Sequence, residues 1–402
     1  MTILQIHNKI PFPPKDGGSI AVFNFSEGFA KAGNNIDILA FNTKKHYIKI
    51  KDFETQLPKK IKIISVDINT DISPINALKN LLFSNLPYNA QRFINDYFKN
   101  TLKKLLTTKK YDIIQIEGLY MMPYIDVIRK HSDAKIAFRA HNIEHEIWEQ
   151  TLKQEKRFLK KIYLKIIAKR MKQFERSFIN KYDFLVPITE RDANIFKTLG
   201  NNKKTIVCPT GVDASKYKSL TERTFENIKL FHLGSLDWTP NQEGIIWFLE
   251  NVWTEISNRN IDLTFSIAGR NAPEWLITKF NKYKNINYLG EIDDALQFLQ
   301  THDVMIVPLL SGSGMRIKII EGMASGNIVL STSKGAEGIN GENNKDFLIT
   351  NTKNDFINQI QNIANKKITL KEISFNAQQF ILNNFDNFAI SKSLLEFYQN
   401  NS

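Results

Sequence analysis

The residues best equipped for chemistry lie in one stretch, Ser311-Gly312-Ser313-Gly314-Met315-Arg316-Ile317-Lys318, which runs on through Ile319 and Ile320 to Glu321. A glycine-rich turn feeding a helix N-terminus presents free backbone N–H groups and the positive end of the helix dipole, a combination that suits a phosphate. Arg316 offers a planar fork of donors and Lys318 a point charge. On a helix, Glu321 falls one turn after Ile317 and beside Ile320, close to the stripe that should face the core. A carboxylate there is costly unless something hydrogen-bonds it. Lys318 would serve, and so would the hydroxyls of a ligand.

The elements that must position this stretch form a repeating pattern. Short apolar runs alternate with helical patterns along the whole chain, as in parallel sheets built from strand–helix–strand units. In the first half, strands are expected at residues 3–7, 36–41, 112–116, 135–139, 184–188 and 205–208. A helix is expected from Ser19, as N-cap, to Gly33. In the second half, strands are expected at 230–233, 263–268, 286–289, 304–308, 328–331 and 347–349, with a helix at 244–256. The polar stretch 213–227 reads as a linker, and the chain ends in a helical segment, 388–398. The fold class is therefore α/β, with two doubly wound, Rossmann-like domains at 1–215 and 225–384 and a final helical segment within 385–402. Two such domains facing each other would hold ligands in an interdomain cleft, at the carboxyl ends of their strands.

Composition narrows the function. A chain of 402 residues is long enough for two cores. No apolar run approaches the length of a membrane span. The opening strand leaves no room for a signal peptide, and a single cysteine, Cys208, excludes a disulfide framework or a Cys-rich metal site. A cytoplasmic protein is expected. The net charge of +13 calls for an acidic partner. Between Lys153 and Arg176, ten Lys and Arg face only Glu155 and Glu175, interleaved with Leu152, Phe158, Leu159, Ile162, Ile167 and Met171 at helical spacing. A basic amphipathic helix over 151–181 could lie on an anionic membrane surface or pack its apolar face on the domain. Nucleic-acid binding would explain the charge but not the ordered loop motifs.

Those loops follow the expected strands in order. Gly17-Gly18 follows the first, and Arg139-Ala140-His141 follows a middle one. Gly234-Ser235 opens the second domain, followed by Ala268-Gly269-Arg270 and then the Ser311 loop. Together with Gly335-Ala336-Glu337-Gly338, this set resembles the retaining GT-B glycosyltransferases of family 4, the "glycosyl transferases group 1". The loop is similar to the subgroup carrying GxGMRxKxxE. The resemblance covers most of the chain. It implies a nucleotide-diphosphate sugar held mainly by the second domain and a glycan or lipid-linked acceptor bound by the first. No metal or other cofactor is implied, because basic side chains and helix N-termini neutralise the diphosphate. Glu321 matches the acidic residue that grips the nucleotide ribose. The family's first acidic residue would fall at Ser313, whose role passes to the backbone of Gly314, Met315 and Arg316. The usual Gly-Arg and following Lys after the first strand of the second domain are here Gly234-Ser235 and Asn241, leaving Arg316 and Lys318 to hold the diphosphate. His141 matches the histidine near the donor sugar, or is a loop histidine bonded to Glu144. Glu117 and His145 face the same presumed cleft. Gly17 and Gly18 allow the backbone to approach the donor phosphate or acceptor closely, or form a simple tight turn, and Gly269 is a further donor-binding candidate. The resemblance also implies that the segment after Phe385 crosses back to the first domain.

The resemblance leads to sugar transfer with retention, by a front-face route, in polysaccharide, lipopolysaccharide or capsule assembly at the inner face of the cytoplasmic membrane. A sugar-nucleotide epimerase or hydrolase of the same shape is the alternative enzyme. A catalytically degraded nucleotide-sugar-binding protein is the alternative of a different class.

Overall fold

The computed structural model describes residues 1–14, 17–44, 47–217, 224–259, 261, 263–312, 314–366 and 369–401. Contacts divide the chain into two units, Met1–Thr210 with Asn387–Ser402, and Gly211–Asp386.

The first unit is built on seven strands: β1 (Thr2–His7), β2 (Asn35–Thr43), β3 (Ile61–Ile68), β4 (Ile113–Glu117), β5 (Lys135–Ala140), β6 (Phe184–Pro187) and β7 (Lys204–Thr205). They form one parallel sheet in the order β3-β2-β1-β4-β5-β6-β7. The winding reverses between β1 and β4, the place where doubly wound sheets open a crevice at the strands' carboxyl ends. Helices cover both faces, so the central strands are apolar on both sides. Leu4 and Ile6 enter one core cluster with Phe41 and Phe98, whereas Ile3 enters another with Phe25 and Phe29. The second unit repeats the plan with β8 (Lys229–Leu233), β9 (Thr264–Ala268), β10 (Ile286–Gly290), β11 (Val304–Val307), β12 (Ile328–Ser331) and β13 (Leu348–Ile349). Their order is β10-β9-β8-β11-β12-β13, again parallel. Leu230 and Phe231 point into opposite clusters.

Several local expectations need correction. Helix α1 (Gly17–Lys31) begins two residues before Ser19, which is buried inside it, and stops ahead of Gly33, whose φ is 91°. Strand β3 was not expected, since Lys62, Ser65 and Asp67 interrupt its apolar pattern at the edge of the sheet. The expected strand at 205–208 shrinks to Lys204–Thr205. The amides of Ile206 and Cys208 donate to Leu185 and Pro187 carbonyls at 3.1 and 2.9 Å, but Pro187 has no N–H to return the bond. The helix expected at 244–256 starts earlier, as α5 (Thr239–Phe248) with Pro240 in its first turn, and runs on through a π-helical segment, Leu249–Trp253.

The basic segment 151–181 is not one helix. Helix α2 (Pro74–Phe83) precedes it in the same unit, and the segment itself is shared between α3 (Glu144–Gln154) and α4 (Phe158–Ser177). Glu155 breaks it, accepting from the Arg157 amide at 3.0 Å and pairing with Lys160 at 2.7 Å. Ile167 and Met171 pack inside, whereas Phe158, Leu159 and Ile162 are exposed. Part of the expected linker, residues 218–223, lies outside the described residues. Asp213–Lys216 belongs to the second unit, where Val212 pairs with Asp386. Helix α6 (Ile317–Ala324) follows the Ser311 loop.

The last helix, α7 (Asn387–Asn401), returns to the first unit and packs on α1. A Cβ on Gly28 would lie 2.2 Å from Ser391 Oγ and 2.6 Å from its Cβ, so the two helices cross at the distance a glycine allows. Ser391 is fully buried and its hydroxyl has no hydrogen-bond partner among the described residues. Gly28→Ala is therefore expected to cost about 1–3 kcal/mol through overpacking, and Ser391→Gly in the same chain should restore most of it. Denaturant unfolding of the single and double variants checks this. Equal midpoints for wild type and Gly28→Ala would remove the close-crossing argument.

Candidate active site

In the first unit, register brings three polar side chains into one row. His7 at the end of β1 pairs with Glu117 at the end of β4, and Glu117 pairs with Arg139 on β5. Two residues further, His141 turns back, so that its Nε2 lies 2.6 Å from Glu117 Oε2. Arg139 Nη1 is 3.4 Å from the same carboxylate, and the Gln115 amide donates to its other oxygen. Glu117 and Arg139 are fully enclosed. Burial alone would raise the Glu117 carboxyl, but the Arg139 charge and the His141 hydrogen bond outweigh it and hold it at about 2. His7, buried beside this group with its ring 6.3 Å from that of His141, is pushed down to about 4 by burial. The last helix reaches the same network, with the Tyr398 hydroxyl donating to Gln115 Oε1 at 2.8 Å.

His141 is thus tied to Glu117. Glu144 accepts instead from the Tyr120 hydroxyl at 2.9 Å. His145 lies apart, paired with Glu175 at 2.5 Å, and Glu175 also accepts from the Glu144 and His145 amides at the start of α3. Gly17 and Gly18 form the exposed first turn of α1, and neither has a positive φ.

In the second unit, the carboxyl ends of β8, β9 and β11 converge. The loops after β8 and β9 touch backbone to backbone: a Cβ on Gly269, whose φ is 157°, would lie 1.7 Å from the Gly234 carbonyl oxygen. Gly234 in turn faces Lys318 and Asn241, with Lys318 Nζ 3.1 Å from where its Cβ would be. Asn241 Nδ2 donates to the Ser235 carbonyl at 2.8 Å and its Oδ1 accepts from Lys318 Nζ at 3.0 Å. Lys318 has no ion-pair partner among the described residues, and burial, then Arg316, lower its ammonium to about 7. His232 lies beneath with Nδ1 2.9 Å from the Ile306 carbonyl, and it has no charge to lend, because burial drives its protonation far down.

Arg316 is the N-cap residue of α6, and no side-chain capping hydrogen bond closes that helix end. Its Nη1 donates to the Gly314 carbonyl at 2.8 Å, and its guanidinium sits 5.2 Å from the Trp238 ring centre. Burial lowers it to about 10, with Glu337 acting against the shift. Gly312 and Gly314 have φ of 101° and 83°, which fits the tight loop. Met315 packs against the core, and Ser235 hydrogen-bonds Asp237 at 2.7 Å and Arg270 at 3.3 Å. Ser313 lies outside the described residues. The Glu321 side chain makes no hydrogen bond or ion pair among the described residues, so of the two partners the sequence left open, the pairing with Lys318 is not made. Burial raises its carboxyl to about 7 and Lys216 opposes the shift.

The second unit thus holds Arg316, Lys318 and an open helix end around two adjacent glycines, with Glu321 one turn on. Such a group can bind an anion flanked by hydroxyls. Sequence reasoning missed His232, Trp238 and the Asn241–Lys318 bond, although Asn241 was noted as the residue standing where a lysine is usual. It also missed Gln115 and Tyr398. Among the described residues no three His, Cys, Asp or Glu side chains are grouped to hold a metal ion.

Comparison with known proteins places this arrangement. Residues 15–216 match the family model Glycosyltransferase Family 4 and residues 227–366 match Glycosyl transferases group 1. The chain belongs to glycosyltransferase family 4, and it has the two-sheet GT-B fold. An uncharacterized 44.6 kDa protein in the cps region of Klebsiella pneumoniae is 24% identical, over 98% of this chain and 99% of that protein. Among solved structures, Anabaena HepE in complex with UDP superposes with a TM-score of 0.71 at 14% identity, covering 100% of both chains. Sucrose-phosphate synthase from Thermosynechococcus elongatus gives 0.72 at 14%, covering 100% of this chain and 99% of that one. S. aureus TarM gives 0.71 at 14%, covering 99% and 100%.

The two unpaired groups predict opposite pH trends in the ligand-free protein. Glu321 titrates higher folded than unfolded, so its penalty is absent below about 4.5, grows to about 7 and is full above it. Lys318 titrates lower folded than unfolded, so its penalty is full below about 7 and fades toward 10.5. Glu321→Gln should therefore stabilise at pH 8 but not at pH 4.5, by about 1–2 kcal/mol after solvent screening. Lys318→Met should stabilise at pH 6 more than at pH 9. Thermal unfolding across pH checks both, and destabilisation by Glu321→Gln at pH 8 would contradict the assignment.

Proposed function

We propose that the protein transfers a glycosyl unit from a nucleoside-diphosphate sugar to an acceptor hydroxyl, with retention at the anomeric carbon, during assembly of a cell-surface polysaccharide. The observation that carries this reading is Lys318, held against Gly234 by Asn241 with no carboxylate paired to it among the described residues. A diphosphate would complete that site, with Arg316 and the α6 N-terminus supplying the remaining charge and donors. Glu321 then accepts from the ribose hydroxyls. By the resemblance, His141, oriented by Glu117, corresponds to the histidine near the donor sugar. Support also comes from relatives: HepE was solved with UDP and UDP-glucose, TarM with alpha-GlcNAc-glycerol and UDP, and the Klebsiella relative lies in a cps region.

In the proposed step the bond from the anomeric carbon to the phosphate oxygen breaks. The acceptor oxygen bonds the same face of that carbon, and its proton passes to the departing phosphate. Negative charge grows on the leaving oxygen, and Arg316 and Lys318 lie where they stabilise it. Two protein cations take the place a metal ion would otherwise fill, so transfer is expected to survive EDTA.

A thermal-shift panel of nucleoside-diphosphate sugars identifies the donor, since the true one stabilises the folded protein by mass action. With it, Arg316→Ala is expected to lower kcat/KM by about 100-fold or more. Glu321→Ala should act mainly by raising the donor KM. Wild-type transfer by either variant would sink its assignment. Rapid epimer formation without acceptor would favour an epimerase, and donor binding without turnover over a broad acceptor panel would favour a binding protein.

A further inference from the structure

A hollow of about 680 Å³ opens on the first unit beside α2, with Asn69, Asp71, Asn76, Lys79, Phe83 and Arg92 in its wall. Its size falls in the roughly 300–1,000 Å³ range of small-molecule sites. Asn69 and Asp71 directly follow β3, so the hollow stands at the carboxyl edge of the sheet. The loop after β4 is tied to the same wall. Arg92 is followed by Phe93, whose ring stacks on Tyr120 at 5.7 Å, and the Tyr124 hydroxyl donates to the Phe93 carbonyl at 2.7 Å. Tyr120 in turn donates to Glu144, at the start of α3. In a parallel sheet this is the rim on which ligands sit.

The wall is held in place, yet its charge is unbalanced. Asn80 is buried in it, donating to the Leu86 carbonyl at 3.0 Å while its side-chain oxygen accepts from Arg170 at 3.3 Å. Arg92 donates to the Thr70 carbonyl, and its guanidinium lies 5.6 and 5.9 Å from the Tyr88 and Phe93 ring centres. Its Nε is buried with no hydrogen-bond partner among the described residues. Neither Arg92 nor Lys79 has an ion pair among them, and Asp71, the one carboxylate in the wall, is engaged by Lys44 at 3.6 Å. A fixed, unpaired cation attracts an anion, and the planar fork of Arg92 suits a carboxylate or a phosphate. The remaining groups suit something larger than a bare ion. Asn69, Asn76 and Gln91 carry amides that can serve hydroxyl groups as donors or acceptors. Phe83, at 85% exposure, offers an apolar plate that the C–H face of a sugar ring would cover. Asn76, Lys79 and Phe83 stand at i, i+3 and i+7, so one face of α2 presents amide, cation and ring together.

We propose that this hollow binds an acidic sugar residue of the acceptor glycan, one that carries a carboxylate or a phosphate. Arg92 and Lys79 meet the anionic group, the amides meet the hydroxyls, and Phe83 lies against the ring. The assignment to the acceptor rests on the transferase reading above, whereas the binding of an acidic saccharide does not.

The test is titration of the full chain with glucuronate, glucose 6-phosphate, glucose and inorganic phosphate, read by saturation-transfer NMR and calorimetry at low salt. Wild type is expected to bind one of the two acidic sugars about tenfold or more tighter than glucose, and tighter than inorganic phosphate. Which of the two binds better names the acidic group. Lys79→Glu and Arg92→Gln should each remove the preference over glucose, and Arg92→Lys, which keeps the charge and loses the fork, should retain part of it. Phe83→Ala should weaken the acidic sugar without removing that preference. Lys79 and Phe83 are exposed, so their variants should keep the wild-type thermal midpoint and the donor-induced thermal shift. Equal affinity for glucose and the acidic sugars, or no binding of either acidic sugar, would overturn the proposal. So would an undiminished preference in Lys79→Glu. Inorganic phosphate bound as tightly as the sugars would reduce the hollow to an adventitious ion only. Wild type that binds an acidic sugar through Lys79 but shows no donor-induced shift would strike the transferase reading and leave the saccharide site standing.

Discussion

A partly buried ammonium with no carboxylate paired to it among the described residues is the constraint around which the second unit is arranged. Removing Lys318 from water is unfavourable, and among the described residues its ammonium is met by the neutral oxygen of Asn241. Everything near it serves that placement. Gly234 leaves room for the Nζ, Gly269 lets the neighbouring loop close over Gly234, and Arg316 adds a second cation where electrostatics alone would disfavour one. An arrangement that a cation pair destabilises in the free protein becomes favourable when an anion binds. Strain of this kind is more often retained at functional sites than in plain scaffolding.

The first unit shows the opposite solution. Glu117 is more deeply placed, yet Arg139, His141 and Gln115 all meet its carboxylate, and it stays ionised. Such a group holds a geometry rather than waiting for a partner. Its reach extends to the far end of the chain, because α7 returns to the first unit and sets Tyr398 on Gln115. The sequence-distant closing helix thus becomes part of the support beneath His141, and the Gly28–Ser391 crossing fixes how near it can come.

The excess positive charge separates into two populations. Arg316 and Lys318 are drawn into a strand-end site, whereas the lysines of the 153–176 segment remain toward solvent, and Lys160 and Lys172 pair with Glu155 and Glu149. Composition alone cannot distinguish them, since both contribute equally to the net charge.

The sequence by itself determined the alternation of strands and helices, the division into two doubly wound units and the glycine-bearing loops at the strand ends. Each of these follows from local periodicity and from glycines at strand ends. Glu321, Lys318 and Arg316 were legible for the same reason, as charges on an apolar helix start. Pairing was not legible, because it joins residues far apart. Only the folded chain set Lys318 on Asn241 rather than Glu321, placed His141 on Glu117 rather than Glu144, and broke the basic segment at Glu155. Helix α2 makes the point most plainly. Its Ile75, Leu78 and Leu82 carry the spacing of a core-facing stripe, yet Arg170 and the Leu86 carbonyl hold Asn80 inward and turn that stripe to solvent. Periodicity specifies that a helix has two faces, and long-range hydrogen bonds decide which of them is buried.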